Sequence, residues 1–87
     1  MTHIVEIQDM AYSPASITIE VGDDIIWTNK DGMAHTATRK NSPTFDTGSI
    51  LTNSNSVAIK FEQISGNEGF EYFCKPHKFM TGKIIVQ

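Results

Sequence analysis

Between Cys74 and Met80 the chain places a thiol, an imidazole and a thioether within seven residues, in the run Phe73-Cys74-Lys75-Pro76-His77-Lys78-Phe79-Met80. Cys74, the only cysteine, ends the alternating series Phe70, Tyr72, Cys74, and a Pro-bent loop carries His77 and Met80. All three are soft or borderline metal ligands, and this arrangement lets them converge on one point. A fourth ligand has to come from elsewhere. His35 is the candidate, 39 positions upstream of Cys74 at the head of a Thr-rich segment that can lie beside the Cys74 strand.

The donor types discriminate between metals. Two imidazoles and a thiolate in a trigonal set, with a weak and distant thioether, suit blue copper electron transfer, because both Cu(I) and Cu(II) are served without large rearrangement. Zinc fits less well: structural zinc sites use four strong Cys and His ligands, catalytic ones keep a water position, and neither has a use for methionine. Cys-x-x-His-x-x-Met with a remote His is also far more specific than Cys-x-x-His alone. Taken singly, the residues have plainer readings. A lone buried cysteine is usually a small core hydrophobe, Met80 by itself is core filler, and His35 by itself is a surface or structural histidine. Tyr72 and Trp27 are read as core aromatics, and Met10, Met33 and His3 have no partner motif.

The rest of the chain reads as all-β. Alternation starts in His3 to Gln8. Ile17, Ile19 and Val21 face one way with Thr18 and Glu20 opposite, the period-2 signature of a half-buried strand. Val21-Gly22-Asp23-Asp24 is a turn, Ile25 to Thr28 a strand, and Asn29-Lys30-Asp31-Gly32 a break before His35. Arg39 to Ser56 is polar and turn-rich, with Phe45, Ile50 and Leu51 as expected anchors. Val57, Ile59 and Phe61 alternate again, and Gly69–Cys74 and Lys83–Val86 complete the set. No stretch has a 3.6-residue period. The expected architecture is a Greek-key β-sandwich of about seven to eight short strands. Loops of a sandwich cluster at its ends, so His35 and the Cys74 loop can share one pole.

With these motifs in place, the chain resembles the cupredoxins, and within them the amicyanin and plastocyanin-like type 1 blue copper proteins. The Cys74-Lys75-Pro76-His77-Lys78-Phe79-Met80-Thr81-Gly82-Lys83 run is similar to the short ligand loop of that group. Tyr12-Ser13-Pro14, Val21-Gly22-Asp23, Trp27-Thr28-Asn29 and Phe45-Asp46-Thr47-Gly48 extend the likeness over nearly the whole chain. The resemblance implies one copper ion held by His35, Cys74, His77 and Met80, and a carrier of single electrons rather than an enzyme. A copper delivery or storage protein, or a module of a larger redox protein, is the alternative. It also implies that His77 reaches solvent through an apolar patch built from Pro76, Phe79 and Met33, where redox partners dock. Lys75 and Lys78 flank that patch and favour a partner with an acidic face. Thr36 departs from the pattern: relatives carry Asn there, whose side chain bonds back to the cysteine loop, and a hydroxyl can still bridge.

Length and charge bound the rest. A chain of 87 residues is read as one domain, residues 1–87, burying only about 60 to 65% of its unfolded surface, so bound metal adds to its stability by mass action. A net charge of -3 with seven scattered basic residues offers no footprint for nucleic acid. No run of about 18 apolar residues marks a membrane span. The first 20 residues lack a basic region followed by an apolar one. That leaves a cytoplasmic protein or a chain without its export signal; the resemblance implies the second, a periplasmic or otherwise extracytoplasmic monomer.

Overall fold

The computed structural model describes residues 1–87, and every regular element in it is a strand. Nine follow in chain order: β1 (Thr2–Gln8), β2 (Ala11–Ser13), β3 (Ser16–Ile19), β4 (Asp24–Asn29), β5 (Thr38–Arg39), β6 (Phe45–Asp46), β7 (Ile59–Lys60), β8 (Phe70–Phe73) and β9 (Thr81–Val86). They form two mixed sheets, ordered β2-β1-β4-β7 and β3-β9-β8-β5-β6. β1 runs parallel to β4, and β3 parallel to β9. The count exceeds the expected seven to eight because β2, β5 and β6 are three, two and two residues long. A period of two leaves no readable pattern in so few positions. No helix is long and apolar enough to cross a membrane.

Alternation decides which side chains meet between the sheets. Val5 and Ile7 of β1 and Ile25 and Trp27 of β4 face Phe70 and Tyr72 of β8 and Ile84 and Val86 of β9, all in one buried cluster. Trp27 lies at its centre, fully buried, stacked on Phe45 at 5.7 Å and edge-on to Tyr72 at 5.5 Å. Its Nε1–H donates to the Tyr72 hydroxyl at 3.2 Å. An aromatic side chain of this kind removes about 150–250 Å² from water, roughly 4–6 kcal/mol at about 25 cal/mol/Å². Each ladder hydrogen bond contributes about 1 kcal/mol net. The aromatic cluster therefore holds the two sheets together, and strands as short as β5 persist because they are packed against it. Gly82 is required by the same cluster: it pairs with Tyr72 across the β8–β9 ladder, and a Cβ there would overlap the tyrosine ring.

Three expected inward residues point outward instead. Val21 is exposed because β3 ends at Ile19 and the chain has already turned, and Val57 is exposed because regular pairing resumes only at Ile59. Leu51 is exposed because its neighbour Ile50 bridges His35 and takes the inward direction, and adjacent extended residues face opposite ways.

Asp23 ties the turn before β4 to β1. Its Oδ2 accepts from His3 Nε2–H at 2.8 Å and from the Glu20 N–H at 3.1 Å. The His3 bond, then the Glu20 bond, hold the carboxyl at about 2, below the ordinary value of about 3.9. A carboxylate with a depressed folded pKa contributes stability above its unfolded pKa and loses it as pH falls through the folded one. The urea midpoint is thus expected to drop between about pH 4 and pH 2, and less steeply in Asp23→Asn. An identical acid limb in the variant would show that this carboxylate is not linked to folding.

Candidate metal centre

Register brings the candidate ligands to one end of the sandwich. β5 pairs antiparallel with β8 through Thr38 and Phe73. His35 therefore leads into β5 where Cys74 leaves β8. His35 is fixed on its other side by a two-way backbone bridge to Ile50, with N···O distances of 3.2 and 2.7 Å. Cys74 continues the inward series after Phe70 and Tyr72 and is fully buried. The loop beyond it closes on itself. The His77 N–H donates to the Cys74 carbonyl at 3.1 Å, the Met80 N–H to the His77 carbonyl at 2.9 Å, and the Cys74 N–H to the Met80 carbonyl at 3.0 Å.

His35, Cys74 and His77 are brought together, their donor atoms all within 4.8 Å of one another. Cys74 Sγ lies 3.5 Å from His35 Nδ1 and 3.6 Å from His77 Nδ1. Metal–nitrogen and metal–sulfur bonds of about 2.0 and 2.3 Å, meeting at about 110°, span about 3.5 Å. The donor set thus fits a single ion in both chemistry and size. Met80 is buried on the same loop with its carbonyl on the Cys74 N–H. His77 is half-buried beside exposed Phe79, and Met33 and Pro76 are exposed as expected.

The surroundings of the cluster define its chemistry. His35 is fully buried, and its Nε2–H donates to Asp31 Oδ2 at 2.7 Å, which leaves the Nδ1 lone pair facing Cys74. The same carboxylate accepts the backbone N–H groups of Asp9 at 2.6 Å and Met10 at 3.0 Å. Those two residues have positive φ, 54° and 58°, a conformation that costs non-glycine residues energy and that the Asp31 bonds offset. Burial pushes the Asp31 carboxyl up, but the Met10, Asp9 and His35 hydrogen bonds outweigh it and hold the pKa below the ordinary carboxylate value. Asn29, fully buried, braces the loop between them: its Nδ2 donates to the Met33 and Ile50 carbonyls and its Oδ1 accepts the Asp31 N–H, each at 2.8 Å.

Thr36 bridges to the cysteine loop. Its N–H donates to Cys74 Sγ at 3.4 Å, and its hydroxyl accepts the Lys75 N–H at 3.0 Å. Its carbonyl accepts the Tyr12 hydroxyl. Burial, reinforced by Cys74 and Tyr72, pushes the Tyr12 pKa up, so that hydroxyl stays a donor. Asp31 and Asn29 were not legible as site residues, because Asn29-Lys30-Asp31-Gly32 has the composition of any turn. A carboxylate shortly before a candidate ligand histidine is the only signal there.

A carboxylate that orients a ligand imidazole typically changes metal affinity about 10–100-fold when removed. Asp31→Ala is expected to weaken copper binding by that factor, read by chelator competition on protein whose circular dichroism is unchanged. Unaltered affinity would confine Asp31 to bracing the Asp9–Met10 turn.

Comparison with known proteins agrees with this geometry. The family model for copper binding proteins of the plastocyanin/azurin family matches residues 1–87. The amicyanin of Paracoccus versutus is 32% identical over 97% of this chain and 64% of its own length. The chloroplastic plastocyanin of Tetradesmus obliquus is 29% identical over 90% of this chain, which spans 59% of that protein. A solved reduced amicyanin variant superposes with a TM-score of 0.89 at 22% identity, covering 99% of this chain and 82% of its own. A match along the whole chain, a shared fold and a clustered His-Cys-His donor set make this chain a member of the copper-binding plastocyanin/azurin family.

Proposed function

We propose that the chain is a type 1 copper electron carrier and not an enzyme, with residues 1–87 forming one cupredoxin domain. The observation that carries this reading is the convergence of His35 Nδ1, Cys74 Sγ and His77 Nδ1 on one point inside a strand framework. In this reading His35, Cys74, His77 and Met80 would hold the ion, the Met80 thioether as the weakest of the four donors. Copper supplies a one-electron Cu(I)/Cu(II) couple. Asp31 holds His35 in the tautomer that presents Nδ1, and Thr36 N–H shares the charge of the Cys74 sulfur. The Ile50 bridge and the closed 74–80 loop hold the donors still, so the site relaxes little between oxidation states. Half-buried His77, beside exposed Phe79 and Met33, is the edge through which the electron passes.

Redox proteins are the partners, docking around His77, in an extracytoplasmic and specifically periplasmic setting like that of exported relatives, with the carrier a monomer. Lys75 is engaged with Asp46 at 2.6 Å, which reduces the field it offers. Lys78 forms no ion pair and shares a surface groove with Arg39 and Lys40, three cations against the one carboxylate of Glu71. The docking charge therefore falls chiefly on Lys78 and its two neighbours, and favours a partner with an acidic face.

Addition of one equivalent of Cu(II) to the metal-free protein is expected to give intense blue absorption and a narrow copper hyperfine splitting. Cys74→Ser should lose the colour, and Met80→Leu should keep a coloured site at a changed potential. A pale, ordinary Cu(II) spectrum, or a preference for zinc, would favour delivery or structural metal binding instead. With an acidic redox partner, the bimolecular rate should fall as ionic strength rises, and Lys78→Glu should slow it more than Lys75→Glu. A rate that climbs with salt would refute the acidic partner.

A further inference from the structure

Thr36 and Thr38 are both 3% exposed, and their hydroxyls lie 2.9 Å apart. Either could donate to the other, but the neighbours of the pair permit only one direction. Asp46 Oδ1 accepts from Thr38 Oγ1 at 3.2 Å and from the Gly48 N–H at 2.8 Å. Burial pushes the Asp46 carboxyl up, but the bonds from Lys75, Gly48 and Thr38 outweigh it and keep the group ionised at neutral pH. An ionised carboxylate accepts only, and a hydroxyl has one proton. The Thr38 proton is therefore committed to Asp46, Thr38 accepts from Thr36, and the Thr36 proton points away from the metal loop. That leaves the Thr36 lone pairs for the Lys75 N–H at 3.0 Å. The Lys75 ammonium then returns to Asp46 Oδ2 at 2.6 Å. The result is a closed ring that grips Lys75 by both its amide and its side chain.

We propose that Asp46 is a positioning residue for the metal loop, acting through Thr38 and Thr36 to hold the Cys74–Lys75 backbone against the start of β5. The dry half of the ring carries the load, because a buried donor left unpaired costs more than a surface ion pair returns. The Asp46 and Lys75 side chains at the wet end are 40% and 45% exposed, and serve to set the direction of the relay. The ring spans the gap crossed by the Thr36 N–H to Cys74 Sγ contact of 3.4 Å. A hydrogen bond to a ligand sulfur tunes its redox couple. Asp46, which touches no ligand, thus reaches the sulfur through the backbone it holds. The effect on the redox couple rests on the copper reading above; the ring itself does not.

The test is amide hydrogen exchange at Lys75 in the metal-free protein, paired with the thiolate-to-copper absorption band and reduction potential of the loaded one. Thr36→Val and Thr38→Val preserve shape and charge and delete one hydroxyl each. Both are expected to speed Lys75 exchange about tenfold or more, and Thr36→Ser to restore wild-type exchange. Thr38→Val should also shift the band and the potential, although Thr38 contacts no ligand and no charge has changed. Asp46→Ala alters only a half-exposed side chain, removes the acceptor that sets the direction of the relay, and gives the same exchange readout if a valine variant fails to fold. Wild-type exchange at position 75 across these variants would overturn the proposal. A wild-type protein that never turns blue would defeat the copper reading and leave the exchange result standing.

Discussion

The metal centre depends on one ladder pair, Thr38 opposite Phe73. Without it His35 and Cys74, 39 residues apart in the chain, have no reason to meet. β5 is only two residues long, and a ribbon so short has little stability of its own. It is held because Phe45, paired with Arg39 from β6, packs on Trp27 and Tyr72 at the centre of the core. The largest apolar burial in the molecule therefore lies beneath its most delicate register.

Around that pair the protein divides its polar groups between two jobs. Asp31 and Asn29 fix the approach to His35: one carboxylate and one amide satisfy backbone N–H groups and carbonyls, order the 29–35 loop and orient the imidazole. Thr36 faces the other way, joining the Cys74 sulfur, the Lys75 amide and the Tyr12 hydroxyl through its N–H, side chain and carbonyl. The Thr36 hydroxyl requires a second hydroxyl and a carboxylate behind it to set its direction. Both sets of bonds hold the donors at fixed spacing before any ion arrives. A carrier that exchanges electrons with little rearrangement needs such a site, since motion of the ligands on each cycle would slow transfer.

Surface charge follows from the same contacts. The Lys75 and Asp46 charges largely cancel where they meet, and Lys60 and Lys30 lie near Glu62 and Glu6. The β5–β8 side keeps an excess of positive charge, with Lys40, Lys78 and Arg39 around the single carboxylate of Glu71, and with Arg39 held by the Glu71 and Ser42 carbonyls and lying over Phe70. A chain of net charge -3 can therefore present a local basic face next to half-buried His77.

The sequence by itself determined the donor chemistry, the all-β class and the inward series of β1, β4, β8 and β9, because ligand type, spacing and period-2 alternation are local properties of the chain. Trp27 and Tyr72 were legible as core for the same reason. Tertiary structure alone decided which residues serve the site without touching an ion. Asp31, Asn29, Thr38 and Asp46 are ordinary polar letters in turn-rich segments, and their roles arise when strands distant in sequence are laid side by side. The exposure of Leu51 and the capture of Lys75 by Asp46 were decided in the same way. A hydrogen bond or ion pair between remote residues leaves no periodic trace in either segment; it exists only once the register of the sheets has been set.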